Sequence, residues 1–472
     1  MTETWERSRL PICGSACNTV EASAAPVGRG RGRRMLGLAA LALGCMKQPE
    51  SAGAMKLPPS VAASATFELE GEPFCFAGAN SYYPIYKGAT AVDDVFASAK
   101  ALGFRVMRVW AMLDRGSLDG SVPNVDGEGH KQGVYFQYWD PARRRPAYND
   151  GPDGLQRLDH VLAAAAKHEL KLILVLTNNW REFGGMDQYL VWYGRNRHHE
   201  FFTAPELRQA YRDWVEHLVT RKSRLTGLAY RDDPTILAWE LANEPRCKNT
   251  SSFDSDEGWD HSTLTSWALE MSSFIKSLDR NHLVSVGDEG FFAGGGEHWT
   301  YRGQDGVDHR ALSALPDVDF GTFHFYPDHW GMPAGSEERW IVDHLRVARE
   351  LGKPTVLEEF GSKVLRATGT RGPVSLGWPL REERYRRWTE LLLEGGGGAA
   401  LAWMLTGVDD DGKRYPDYDG FAFQRDDETG RLLGSLTPSF TSAPACRARG
   451  EATRDRAPGP FVRVRRAAPN SP

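Results

Sequence analysis

The sequence has few cysteines, no excess of basic charge and no apolar run long enough to cross a membrane. Its six cysteines among 472 residues show no paired spacing over the region expected to fold, which argues against a zinc site. A net charge of -5 argues against general nucleic-acid binding, which normally shows as a basic excess. The apolar fraction of 41% is ordinary for a globular protein, so the chain can bury a sizeable core.

The chain also lacks a glycine-rich phosphate loop and a convincing metal motif. Residues 76–80, Phe-Ala-Gly-Ala-Asn, follow the start of the first predicted strand without the spacing of a dinucleotide fingerprint. The run His-His-Glu at 198–200 has no further convergent ligand, so we expect a solvated turn. Residues 409–412 lack the alternating acids and closing Glu of a calcium loop, and we expect a loop at the barrel mouth. We expect no cofactor and no bound metal.

The first 45 residues have the pattern of an export signal. Arginines near position 30 precede the apolar run 35–44, which is far too short to span a bilayer. The run ends in Leu43-Gly44-Cys45, which resembles a bacterial lipoprotein cleavage box, and Arg33-Arg34 also allows a twin-arginine signal. We expect residues 1–45 to direct secretion or anchoring outside a bacterial cell membrane, with Cys45 as the candidate lipid anchor. Residues 46–65, rich in Ala, Ser and Pro, are predicted to be a linker.

Residues 66–440 alternate strand-like apolar runs with amphipathic helical stretches, which is typical of parallel βα units. Eight strands are predicted, at 74–83, 105–112, 170–178, 236–243, 283–287, 320–326, 354–360 and 399–405. Eight units over about 340 residues favour a closed (β/α)8 TIM barrel over an open doubly wound sheet. We expect one such domain, acting as a monomer. Residues 441–472 are basic and lack periodicity, so a disordered tail is expected.

The fourth predicted strand ends abruptly in Asn243-Glu244-Pro245. The run Ile236 to Leu241 is too short for an ordinary helix and apolar enough for a strand buried on both faces. Barrels place catalytic groups at the C-terminal ends of such strands, whereas a carboxylate placed there only for packing would lose hydration free energy. Glu244 is therefore predicted to be functional.

Polar and aromatic residues at the other strand ends would face the same mouth of a barrel. They are Arg108, Asn178, Asn179, Trp180, Asn243, His324, Tyr326, Glu358, Glu359 and Trp403. Two glutamates, from strands four and seven, point to glycoside hydrolysis. That reaction needs one carboxyl group to protonate the leaving oxygen and an ionised one to attack the anomeric carbon. A retaining enzyme holds the two roughly 5 Å apart.

Four segments carry a more specific resemblance. They are Asp233-Pro-Thr-Ile-Leu-Ala-Trp-Glu-Leu-Ala-Asn-Glu-Pro-Arg246, Asn178-Asn-Trp-Arg-Glu-Phe-Gly-Gly185, Asp319-Phe-Gly-Thr-Phe-His-Phe-Tyr-Pro-Asp-His-Trp330 and Leu357-Glu-Glu-Phe-Gly361. Together they resemble the endo-β-1,4-mannanases of glycoside hydrolase family 5, over residues 67–408. The resemblance implies a retaining (β/α)8 barrel that cleaves mannan, glucomannan or galactomannan, with Glu244 as general acid/base and Glu359 as nucleophile. It also implies the surrounding residues Arg108, Asn243, His324, Tyr326 and Trp403.

Physical roles can be assigned to the residues expected around Glu359. Arg108 is always charged and would keep Glu359 ionised, and a Tyr326 hydroxyl donating to Glu359 would hold the attacking oxygen in line. Asn243 is suited to a hydrogen bond with the sugar 2-hydroxyl. The alternative for Arg108 is an internal ion pair with Glu240 or Asp114.

The remaining candidates surround the expected sugar positions. His324 would orient Glu244, its alternative being a satisfied barrel histidine, and Trp403 would form a stacking floor. Asn178, Trp180 and Trp330 are candidates for flanking substrate contacts, and the alternative for both tryptophans is a structural role.

Two further glutamates are close to the proposed pair. Alternation along the strand predicts that Glu358 faces away from Glu359. Glu240 shares a face with Glu244 but lies deeper, where we expect it to join an interior hydrogen-bond network.

The sequence leaves alternatives open for the function. One is another β-glycanase or an exo-acting β-mannosidase on the same barrel. Another is a non-catalytic carbohydrate-binding surface protein, although binding alone needs no acid and nucleophile pair. The long loop 114–152 is predicted to narrow one end of the cleft and to favour action near chain ends or on short oligosaccharides.

Overall fold

The computed structural model describes residues 65–127, 133–249, 251–363, 381–447 and 459–465. The predicted export region 1–45 and nearly all of the predicted linker 46–65 lie outside these residues. Within them, none of the helices is both long and apolar enough to cross a bilayer.

The elements follow the predicted alternation. The strands are β1 (Thr66–Leu69), β2 (Glu72–Pro73), β3 (Phe76–Asn80), β4 (Val106–Trp110), β5 (Asp114–Ser117), β6 (Gln137–Asp140), β7 (Arg145–Tyr148), β8 (Lys171–Val175), β9 (Ile236–Glu240), β10 (Leu283–Ser285), β11 (Gly321–Phe325), β12 (Thr355–Phe360), β13 (Ala399–Ala402) and β14 (Arg463–Arg465). The helices are α1 (Ala89–Ala101), α2 (Leu155–Lys167), α3 (Gly185–Trp192), α4 (Glu200–Thr203), α5 (Pro205–Thr220), α6 (His261–Leu278), α7 (His309–Ala314), α8 (Pro327–Trp330), α9 (Ser336–Leu351), α10 (Arg381–Glu394), α11 (Glu428–Ser442) and α12 (Pro444–Arg447).

Eight parallel strands form the barrel, in the order β10-β9-β8-β4-β3-β13-β12-β11. Backbone hydrogen bonds also join the two ends of this order, from Asp319 N to Val284 O at 2.8 Å and from His324 N to Glu289 O at 3.1 Å. The predicted (β/α)8 barrel is therefore confirmed. The strand ends meet at one mouth, as the prediction requires.

The helices cover the barrel with the apolar faces that their spacing predicts. Helix α5 buries Leu207, Tyr211, Trp214 and Leu218, which recur every three or four residues along one face. The side chains on this face pack with the barrel core, and the Trp214 indole donates to the backbone oxygen of Leu176 at 3.1 Å. Strand ends are thus supported from outside as well as from the barrel interior.

The long loop 114–152 contains a small sheet of β5, β6 and β7, which we call the rim sheet. Its neighbouring segment is tied to the chain that follows Trp180: Arg181 donates to Val125 O at 2.5 Å, and Phe183 N donates to Asp126 at 2.6 Å. Trp180 follows β8 at the barrel mouth. The rim sheet therefore borders the mouth on that side.

The C-terminal region differs from the prediction of a disordered tail. Helix α12 carries Cys446, which forms a disulfide with Cys75. Strand β14 pairs antiparallel with β1, and Val462 beside it is buried. The prediction is therefore wrong for residues 441–447 and 459–465. Composition reveals neither a covalent partner 371 residues away nor a free strand edge.

Candidate active site

Glu244 and Glu359 lie at the ends of β9 and β12 and point their carboxyl groups toward each other. One carboxyl oxygen from each, together with a ring nitrogen of His324, lies within 4.8 Å of the other two atoms. This separation matches the spacing of about 5 Å that a retaining glycosidase requires. The two residues that the sequence singled out are therefore brought together.

The backbone at Glu244 has a strained conformation. Its φ of 51° lies in the left-handed region, which costs a non-glycine residue roughly 1–3 kcal/mol. Two contacts hold it: the Glu244 N–H donates to Gly287 O at 2.9 Å, and Asn243 just before it forms a parallel bridge with Asn178. Such strain is concentrated at functional sites, where the surrounding structure fixes it.

Both oxygens of Glu359 accept hydrogen bonds. Arg108 Nη1 donates to Oε1 at 2.5 Å, and the Tyr326 hydroxyl donates to Oε2 at 2.7 Å. Burial raises the pKa of Glu359, whereas His324, Arg108 and the Tyr326 hydrogen bond oppose the rise. With donors on both oxygens, the geometry favours the ionised carboxylate that a nucleophile needs.

Glu244 has a different environment. The Trp180 indole donates to its Oε2 at 2.6 Å, and His324 Nδ1 lies 2.8 Å from its Oε1. Burial raises the pKa of Glu244, opposed by the charge of Arg246 and by the Trp180 hydrogen bond. Burial also lowers the pKa of His324. The raised pKa of Glu244 favours its protonated form and the lowered pKa of His324 favours the neutral imidazole, an arrangement suited to general acid catalysis.

Arg108 is fully buried and is fixed from several sides. It donates to Glu240 through Nε and Nη2, to Asn243 Oδ1 at 2.8 Å, and to Asn80 Oδ1 at 3.1 Å. Although burial opposes it, the carboxylates led by Glu240 raise the pKa of Arg108. The alternative ion pair with Glu240 thus exists alongside the contact with Glu359. Glu240 joins the predicted interior network.

The prediction that Glu358 faces away from Glu359 is wrong. Leu357 pairs with Phe323 whereas Glu359 pairs with His324, so Glu358 is an extra residue at a register shift in β12. Its Oε2 lies 3.7 Å from Arg108 Nε and 3.6 Å from His324 Nε2. Alternation assumes a regular strand, and the bulge breaks it.

Asn243 and Asn178 form a linked pair beside Glu244. The Asn243 amide donates to Asn178 Oδ1 at 3.0 Å, and the Asn178 amide donates to the backbone oxygen of Glu182. Since Arg108 donates to Asn243 Oδ1, the orientation of this amide is fixed. One N–H of Asn243 remains for another acceptor.

The three predicted tryptophans differ in exposure. Trp180 and Trp403 are half-buried, and the Trp403 indole donates to Asp419 at 2.8 Å. Trp330 is only 8% exposed and packs its ring against Phe291 and Trp340. This packing favours the structural alternative for Trp330, whereas the other two keep ring surface at the mouth.

Several residues at the mouth are not among those predicted from the sequence. Arg246 binds Glu289 through Nε and Nη2 at 2.6 and 2.7 Å, and Asp305 through Nη1 at 2.9 Å. Its guanidinium also lies 5.2 Å from the Trp180 ring. The sequence did offer a signal, because Asn80 ends β3 and Glu289 follows β10. Residues at strand ends face the mouth of a barrel, which we call the strand-end rule, and it applies to these two as well.

The solvated turn predicted for 198–200 is wrong for both histidines, because His199 is buried and so is His198. Its Nδ1 lies 3.0 Å from Asp187 and its Nε2 lies 2.9 Å from Asn179 Oδ1. That same Asn179 oxygen accepts a hydrogen bond from the backbone N–H of Arg246 at 3.0 Å. His198 thus joins Asp187 of α3 to Asn179 and supports the chain around the site instead of facing water.

Comparison with known proteins agrees with this geometry. A family model described as GH family 5 beta-mannosidase-like matches residues 62–368. A protein of Aspergillus terreus named probable mannan endo-1,4-beta-mannosidase C is 40% identical over 302 residues, which cover 62% of this chain and 71% of that protein. The mannan endo-1,4-beta-mannosidase F of Aspergillus fumigatus is 32% identical, over 76% of this chain and 75% of its own.

A solved structure gives the same result in three dimensions. The crystal structure of the endo-1,4-beta-mannanase from Rhizomucor miehei superposes with a TM-score of 0.70 at 33% identity, covering 82% of this chain and 98% of that one. The resemblance recognised in the four sequence segments is confirmed. The chain belongs to the beta-mannosidase-like group of glycoside hydrolase family 5.

Proposed function

We propose that the protein is a retaining endo-β-1,4-mannanase that hydrolyses mannan, glucomannan or galactomannan. The observation that carries the proposal is the pair Glu244 and Glu359, whose carboxyl oxygens lie within 4.8 Å in unlike environments. Glu359 accepts hydrogen bonds on both oxygens, whereas Glu244 lies between the Trp180 indole and the His324 imidazole. Environments that differ in this way separate the nucleophile from the acid.

In the first step a Glu359 oxygen bonds to the anomeric carbon as the glycosidic bond breaks. The bonding electrons pass to the leaving oxygen, which takes the proton of Glu244. In the second step a water oxygen attacks the same carbon and gives a proton to Glu244, while the bond to Glu359 breaks. Both residues return to their starting states, and the configuration is retained after two inversions.

The neighbouring groups support both steps. Arg108 and Tyr326 hold the Glu359 carboxylate, and their hydrogen bonds to it weaken as it becomes an uncharged ester. His324 lies between the two glutamates, 2.8 Å from Glu244 and 3.6 Å from Glu359, so it keeps both oriented. We propose that the remaining N–H of Asn243 donates to the sugar 2-hydroxyl, an interaction that strengthens in the transition state.

The substrate class rests on the relatives. The curated relatives and the Rhizomucor miehei structure are named for action on 1,4-β-mannan. The family model matches residues 62–368, which include Glu244 and Glu359. Trp403 is proposed as the floor for the sugar at the cleaved bond, with Trp180 on the leaving-group side next to Glu244. The rim sheet borders the cleft on the Trp180 side. There it would narrow the end of the cleft through which a polymer chain extends.

The cellular location is proposed to be outside the cytoplasm. The disulfide between Cys75 and Cys446 supports this, because such bonds persist in oxidising compartments. Attachment of lipid to Cys45 remains a prediction, as does the monomeric state. Intact-mass measurement of the protein from the membrane fraction tests the anchor, since an acylated Cys45 at a new N-terminus has a distinct mass.

Activity on a panel of polysaccharides tests the proposed function. The purified protein is incubated with mannan, cellulose and xylan, and products from mannohexaose are then separated by length. Mannan cleavage with internal products is expected. Preferential cleavage of cellulose or xylan would favour another β-glycanase, and release of mannose alone would favour an exo-acting β-mannosidase. Binding of mannan without cleavage would indicate the non-catalytic carbohydrate-binding alternative.

A further inference from the structure

A row of aromatic rings runs outward from Trp403 toward the surface. Ring centroids are 6.0 Å apart between Trp403 and Tyr82, 6.2 Å between Tyr82 and Tyr415, and 5.8 Å between Tyr415 and Tyr418. Tyr415 is buried, but Tyr418 is 62% exposed and is the one exposed aromatic side chain among the described residues. The row therefore begins at the proposed sugar floor and ends on an open ring.

The loop that carries Tyr418, residues 407–420, is held firmly against the barrel. Lys87 binds Asp409 at 2.7 Å, with both side chains largely shielded from solvent. The ring of Tyr415 stacks on Tyr83 at 3.9 Å, and its hydroxyl forms a hydrogen bond with the Tyr86 hydroxyl at 2.6 Å. A ring on such an anchored loop loses little conformational freedom when it binds a ligand.

Carboxylates accompany the rings. Asp419 accepts from the Trp403 indole through Oδ2 and from Phe421 N through Oδ1. The Oδ1 of Asp417 accepts from the N–H groups of Gly420 and Ala422. Aromatic faces with a few fixed acceptors suit a sugar, which presents an apolar ring face and hydroxyl donors at its edge.

The position of the row relative to Glu244 shows on which side of the cleaved bond the row lies. Trp403 and Tyr82 follow β13 and β3, which are neighbours in the barrel, whereas Glu244 follows β9, separated from β3 by two strands. The proposed acid protonates the leaving group, so the leaving part of the substrate lies on the β9 side. The part that becomes bonded to Glu359, the glycon, extends over β13 and β3.

We propose that Tyr418 forms a sugar-stacking subsite for a mannosyl residue of the glycon, beyond the position on Trp403. The proposal rests on the proposed function for its substrate class. The glycon half of the cleft is then bordered by the row of Trp403, Tyr82, Tyr415 and Tyr418. Substrates with longer glycons then gain binding that short ones lack.

Aryl glycosides isolate this half of the cleft, because the aryl group occupies the leaving-group position. Rates are compared for p-nitrophenyl β-glycosides of mannobiose, mannotriose and mannotetraose. Tyr418→Ala should lower kcat/KM about threefold to tenfold on a longer glycon and leave the mannobioside within about twofold, given the usual strength of ring stacking. Tyr418→Phe should keep the preference for long glycons, since the ring remains. Leu225→Ala, which changes another exposed apolar side chain, should have no effect.

An equal fall on every glycon length, or no fall on any, would overturn the proposal. Binding of mannohexaose to the Glu359→Ala variant provides a separate readout. Adding Tyr418→Ala to that variant should weaken binding, and unchanged binding would again contradict the subsite. If the wild-type protein hydrolyses none of the glycosides but Tyr418→Ala still weakens binding, the proposed function fails and the subsite stands.

Discussion

Glu358 and Glu359 are neighbours in the chain, yet both side chains lie within 4 Å of the Arg108 guanidinium. Glu240 also binds this guanidinium, so three buried carboxyl groups share one positive charge. Glu240 and Glu359 accept its hydrogen bonds, whereas among the described residues no donor lies within hydrogen-bonding distance of either Glu358 oxygen. Burial, together with Glu240, raises the pKa of Glu358 well above its ordinary value. These contacts favour the protonated, neutral form of Glu358 over its ionised form.

The neutral state of Glu358 predicts a contrast between two conservative substitutions. Glu358→Gln keeps the shape and the zero charge, so kcat/KM should stay within about threefold of the wild-type value, whereas Glu359→Gln should lose on the order of a thousandfold or more. Steady-state kinetics on mannan measures both, and circular dichroism confirms folding. A large loss in Glu358→Gln with intact Glu359→Gln activity would exchange the roles of the two residues.

The strand-end rule predicted the main site residues because it depends on a property that sequence shows directly. Glu244 follows β9, and Arg108 and Glu359 lie within the short apolar strands β4 and β12; parallel strands bring such positions to one mouth. Glu358 could not be placed in the same way. Its direction depends on a register shift against β11, which is decided by the packing of two strands and not by the alternation of either.

Long-range pairings were beyond the sequence for a similar reason. Cys446 meets Cys75 only because α12 packs at the start of the barrel, and β14 finds a partner only because β1 leaves an edge free. Neither the disulfide nor the strand pairing is indicated by a pattern in the local sequence. The rim sheet was likewise predicted as a loop, since its strands are four residues each and are separated by polar turns.

Replacing Trp180 should change the pH dependence of the reaction. Its indole donates to Glu244 and thereby favours the ionised carboxylate, which opposes the rise in pKa that burial causes. In Trp180→Phe this donor is lost, so the pKa of Glu244 should rise further. The alkaline limb of kcat/KM, where the acid loses its proton, should move to higher pH. A profile measured from acid to alkaline pH checks this.

Two outcomes separate this effect from a loss of stacking. If Trp180 acted only as a sugar platform, KM would rise without a displacement of the alkaline limb. A displacement toward lower pH would contradict the assigned hydrogen bond. Trp403→Phe is the matched control, because the Trp403 indole donates to Asp419 instead of Glu244.

Removal of the disulfide should lower stability without altering catalysis. The bond between Cys75 and Cys446 restricts the unfolded chain, and bonds of this kind typically contribute about 2–4 kcal/mol. The double variant Cys75→Ser and Cys446→Ser should have a lower free energy of unfolding and an unchanged kcat. Denaturant titration measures the difference. A reducing agent should lower the stability of the wild type alone, and an equal response in the double variant would contradict the assignment.

The central claim is that Glu359 forms the covalent bond to the sugar and that Glu244 supplies the proton. The most direct measurement is the reaction of Glu359→Ala with an activated aryl β-mannobioside in the presence of azide. The small anion fits where the carboxylate was, so activity should recover and the product should be a glycosyl azide of inverted, α configuration, identified by nuclear magnetic resonance. Full activity of Glu359→Ala without azide, or a glycosyl azide of β configuration, would contradict the account.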